Sequence, residues 1–183
     1  MVGLETKGAQ VMRRHRLRSA WHGARGGAGV REVLRSIAQN VLQMNEQFEK
    51  ETVRKAVEDK ARSFGGKPVA RGARRGMRWS DRWDIDERQL HLPGEPDAVR
   101  QRSAPILKEM WQEVENPDQE TAGIVWSGMG KLNPVLVSLR FDPSPSGEGT
   151  RVTVRGVAAE GLIKQHAGSK AANLVSERLE QAL

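Results

Sequence analysis

The residues of this chain best suited to chemistry are its cations. Between positions 60 and 82, Lys60, Arg62, Lys67, Arg71, Arg74, Arg75, Arg78 and Arg82 stand against one acid, Asp81. A second cluster, Arg13, Arg14, His15, Arg16 and Arg18, lies near the start. Guanidinium is planar, permanently charged and rich in donors, which suits phosphate oxygens. Cations crowded this closely supply salt-sensitive, sequence-independent affinity for a polyanion. The candidate nucleic-acid-contacting residues are therefore Arg13, Arg14, Arg16, Arg18, Lys67, Arg71, Arg74, Arg75, Arg78 and Arg82. Trp79 and Trp83 lie within and just after the 60–82 cluster. Exposed, they would stack on bases; buried, they fill a core. An acidic protein surface would satisfy the same cations, so RNA, DNA and acidic protein all stay open as partners.

Other chemistries find less support. Asp81, Asp84, Asp86 and Glu87 lie near the two tryptophans, and a carboxylate desolvated by indoles is one route to acid–base catalysis. Arg78 and Arg82 are equally near, however, and charges on an edge strand serve solubility. Ser103, Ser127 and Ser138 have no recognisable histidine partner. His15, His22, His91 and His166 do not form a metal-ligand spacing, so no metal or cofactor is expected. Neither glycine cluster, Gly23 to Gly29 or Gly65-Gly66-Lys67-Pro68, has the strand before it and the Lys-Ser/Thr after it that a phosphate loop needs. These patterns predict a non-catalytic protein, with enzymatic activity left open only at the acidic cluster.

The elements that would position the cations come next. Apolar residues make up 37% of the chain and aromatics 4%, too few for dense packing throughout. Residues 1–29 read as a basic flexible arm. Residues 30–62 read as a long amphipathic helix, because Val30, Leu34, Ile37, Val41, Met44 and Phe48 recur at alternating four and three. That stripe needs a cover: its own domain, a second copy, or another protein. Residues 63–76 read as a Gly/Arg-rich linker.

From 77 to 183 the pattern predicts an α+β domain. Met77, Trp79, Asp81, Trp83 and Ile85 alternate as one face of a strand, with Leu90 and Leu92 prolonging it or making a partner. A helix is expected over 95–115, opened by Pro96 and broken near Pro105. Strands beginning at Ile124, Val135 and Val152 are close enough to form an antiparallel meander, and an apolar face from Leu162 to Leu179 predicts a long closing helix. The expected fold is thus an antiparallel sheet packed by helices, including a long C-terminal one, preceded by a basic arm and a long N-terminal helix. Over about residues 77–183 this order is similar to small helix-grip folds. That topology implies a second reading, an apolar-ligand pocket lined by Trp79, Trp83, Trp111, Trp126 and Phe141.

Cysteine is absent, which excludes disulfides. No apolar run reaches the length of a membrane span, and no secretory signal is legible at the start. A cytoplasmic setting is expected, although the Arg-rich start faintly resembles an import segment. The sequence thus favours an accessory protein that contacts nucleic acid or another polyanion, in a ribonucleoprotein assembly. An adaptor docking through the 30–62 helix is the further alternative.

Overall fold

Val135, Val137, Leu139 and Phe141 alternate with Leu136, Ser138, Arg140 and Asp142, and in the fold that alternation becomes two differently covered faces of one strand. The computed structural model describes residues 27–79, 82–115, 121–128, 132–160 and 165–183. In chain order they form α1 (Gly27–Trp79), β1 (Trp83–Leu92), α2 (Pro96–Met110), β2 (Gln112–Val114), β3 (Thr121–Ser127), β4 (Asn133–Pro143), β5 (Thr150–Ala159) and α3 (Ala167–Ala182). The chain divides into two units between Gln47 and Phe48. In the first, residues 27–47 are helical and leave Leu34, Leu42 and Met44 exposed.

The second unit is an α+β structure around a five-stranded antiparallel sheet in the order β1-β5-β4-β3-β2. The meander β3-β4-β5 is as expected. The first strand closes against the last, with Trp83 opposite Ala159 and Leu92 opposite Thr150. One sheet face carries α2 and α3. There Val135, Val137, Leu139, Val152, Val154, Val175 and Leu179 are fully buried in one cluster. The other face carries Ala122, Ile124 and Leu136, covered by Val53 and Ala56 of α1 with Trp83, Val114 and Trp126 around them. Burial on both faces explains why β4 is buried without interruption from Pro134 to Leu139.

Three local expectations need correction. The strand predicted from Met77 begins at Trp83, because the backbone through Trp79 is helical. The helix predicted to break at Pro105 runs unbroken from Pro96 to Met110. Val99, Ser103 and Leu107 are buried along one side of it, and Ser103 Oγ donates to Val99 O at 2.8 Å, so burial outweighs the missing proline N–H. That helix also stops earlier than expected. Trp111 leaves it to pack over Gly123, and β2 pairs with β3 instead.

The start of α3 is held by two carboxylates. Glu160, only 6% exposed, accepts from the backbone N–H of Gln165 at 2.7 Å and of Ala167 at 3.3 Å. Asp84 Oδ2 accepts from Ser169 N–H at 3.0 Å. The bonds from Ala167 and Ser169 satisfy N–H groups that a helix start leaves without intrahelical partners, and the two carboxylates place negative charge at the positive end of the helix dipole. Glu160→Ala should lower stability by about 2 kcal/mol, since two backbone donors lose their acceptor. Glu160→Gln, which keeps one carbonyl oxygen, should lose about half as much. Urea unfolding with an unchanged slope checks both.

Candidate nucleic-acid interface

Residues 63–76, expected as a linker, are helical on both sides of a break at Gly65 and Gly66. Gly66 has φ 68° and ψ −160°, a conformation only glycine adopts readily. Lys67 and Pro68 then start a new helical run, where a proline in the first turn lacks only an N–H that would have had no partner. Across the break Arg74 Nη1 lies 3.9 Å from Glu58 Oε2. A straight helix would separate those positions by about 24 Å, so the chain doubles back as a helical hairpin. Ala70 is buried at 1% exposure and anchors the returning arm.

The return to helix gives the cations a common face. Lys67, Arg71, Arg74, Arg75 and Arg78 occupy positions i, i+4, i+7, i+8 and i+11, an arc of roughly 100° at 3.6 residues per turn. Ala70, buried, and Ala73, half-buried, fall on its flank. Lys67, Arg71, Arg74 and Arg75 are exposed. Among the described residues, no carboxylate pairs with Lys67, Arg71 or Arg75, and the Arg74–Glu58 contact is at the limit of an ion pair. The result is a row of exposed cations on a helix.

The other candidate residues are placed differently. Arg13, Arg14, Arg16 and Arg18 lie outside the described residues, as does Asp81; Arg78 has a helical backbone, and its side chain and that of Trp79 lie outside the description. Arg82 is exposed beyond the helix and lines a cavity of about 520 Å³ with Trp83, Asp84, Glu160 and His166. Lys60 lies over the Trp126 ring at 5.0 Å, and Arg62 donates to Glu58 at 3.1 Å. Lys50, at 5.5 Å, and Arg54, at 5.4 Å, lie over the Trp83 ring. The described tryptophans are therefore packed against protein groups rather than presented as open stacking platforms.

The acidic cluster is likewise engaged in structure. Asp84 holds the α3 start and stands 3.8 Å from His166 Nδ1, Asp86 pairs with Arg88 at 3.0 Å, and Glu87 lies 3.9 Å from Arg155. Arg155 makes a two-pronged bond to Glu49, at 2.8 and 3.1 Å, tying β5 to α1. No group of three metal-ligating side chains occurs among the described residues. The sheet face under α2 and α3 holds Phe141 among the valines and leucines of the main core, with Trp111 packed against them. No helix among the described residues is long and apolar enough to cross a membrane.

The site that sequence reasoning missed is the stripe itself, not its members. Its signal was the 100° period of the cations, readable once Gly-Gly is taken as a helix end and Lys-Pro as the next start. Fold and site define an α+β protein that carries a one-faced basic helix. The sequence matches no protein-family model and no curated protein sequence.

Proposed function

We propose that this protein is a non-catalytic accessory protein that contacts the phosphate backbone of nucleic acid through the helical face of Lys67, Arg71, Arg74, Arg75 and Arg78, in a cytoplasmic ribonucleoprotein setting. The observation that carries this reading is the exposure of the first four of these on one side of a helix. The contact would position the protein and carry no base information, because phosphate contacts are the same for every sequence. Exposed cations on a helix also favour a fast encounter and a strong response to salt.

Titration of the full chain with generic duplex and single-stranded oligonucleotides over a salt series tests the reading. The logarithm of the binding constant should fall linearly with the logarithm of salt, with a slope near −0.9 per phosphate contacted on a B-form duplex and about −0.7 on a single strand. Absence of binding at about 50 mM salt would remove the proposal. Purification of the native complex with and without nuclease separates the remaining partner class. Co-purifying material that survives nuclease, and depends on the same cations, would assign the face to an acidic protein instead.

A further inference from the structure

Residues 27–47 form a helix whose apolar positions 30, 34, 37, 41 and 44 continue to 48 at spacings of four and three. Leu34 is 59% exposed and Met44 47%, with Leu42 at 68% beside them. A stripe of large apolar side chains along a helix requires a cover. We propose that the cover is the same face of a second copy of this chain, packed antiparallel about a two-fold axis.

Charge selects the second copy over a foreign partner. The chain carries +7 overall, so two copies repel unless they meet where charge is low. Helix 27–47 is that place: its charged residues are Arg31, Glu32, Arg35 and Glu46, which cancel, and residues 36–45 carry no charge at all. With Leu34 and Val41 at a positions and Ile37 and Met44 at d, the flanking positions hold Val33, Ala38, Asn40, Asn45 and Gln47, with Arg31 at one end. The flanking charges by which helical pairs select a different partner are nearly missing. The spacing also reads the same in both directions. A two-fold pairing sets position 34 against 44 and 37 against 41, and opposes the helix dipoles.

Sedimentation of the full chain over a concentration series tests this. The wild type should show a reversible species of twice the 20.3 kDa monomer mass. Leu34→Lys with Met44→Lys should weaken association at least about tenfold, since two buried apolar groups become charged. Both positions are exposed in the single chain, so the thermal unfolding of the α+β unit should not move. A wild type that stays monomeric throughout, or a dimer that the double substitution leaves intact, overturns the proposal. The chain has no cysteine, so Ile37→Cys and Val41→Cys chains can be mixed and oxidised cleanly. The antiparallel pairing requires mixed 37–41 disulfides to exceed 37–37 ones severalfold, and the reverse preference overturns it. Oligonucleotide binding by the monomeric variant keeps this result separate from the function of the basic face.

Discussion

Replacing Lys67, Arg71, Arg74 and Arg75 together with glutamine should reduce oligonucleotide affinity by on the order of a thousandfold to ten-thousandfold at about 50 mM salt. The magnitude follows from counterion release, in which each phosphate contact contributes about tenfold at that salt and close to 0.9 to the slope on a B-form duplex. The salt slope of the variant should therefore be shallower by about 3 to 4. Glutamine is nearly as good a helix former as lysine or arginine, so the arm stays helical. The only described ion pair lost is Arg74–Glu58 at 3.9 Å, half exposed and worth little. An unchanged circular dichroism spectrum and thermal midpoint would confirm that the variant is folded. The control removes the same net charge at Arg88, Arg100, Arg140 and Lys170, all exposed elsewhere. If both variants lose binding equally, overall charge rather than the helical face is responsible. If neither loses it, the nucleic-acid reading fails.

The parts of the molecule that were legible in sequence are those where one period dominates. Strands β4 and β5 alternate because one set of side chains, mostly valine and leucine, enters the main core, while the other set, which includes Leu136, Ser138, Thr153 and Arg155, lies on the face that meets α1. The closing helix was equally plain from Ala171, Val175 and Leu179. Other features depended on partners far away in the chain. Strand β2 is three residues long, and its pairing exists because Gly123 leaves room for the Trp111 ring, a vacancy that no local pattern announces. The 30–62 stripe divides at Phe48. Val53 and Ala56, out of step with the heptads, cover the sheet, whereas Leu34 and Met44 remain exposed. The basic helix was hidden for the opposite reason. Its period lies in charges rather than apolar residues, and its glycines resemble a linker unless their role as a helix junction is considered.

Gly156→Ala should destabilise the protein by about 3 kcal/mol, the upper end of what one added methyl costs in a site that cannot yield. A Cβ at this position would collide with the carbonyl oxygen of Gly168 and lie 3.0 Å from its carbon, and both are backbone atoms in the first turn of α3. Gly168 cannot retreat toward the neighbouring strand, because a Cβ there would lie 2.5 Å from Asp84 O and 3.0 Å from Gly156 O. The two glycines thus let the helix start touch β1 and β5 directly, which is also what brings Ser169 N–H onto the Asp84 carboxylate. Relief requires α3 to lift away, loosening Ala172, Val175 and Leu179, all fully buried. Gly72→Ala makes the same chemical change where a Cβ meets nothing within 4 Å, in a helix. There the sign reverses: alanine restricts the unfolded chain and favours helix, so stability should rise by about 0.5 to 1 kcal/mol. Urea unfolding of the two variants side by side should move the midpoints in opposite directions at a common slope. A Gly156→Ala midpoint within error of wild type would mean that α3 does not rest on the sheet at this distance, and the tie between Asp84 and the helix start would lose its support.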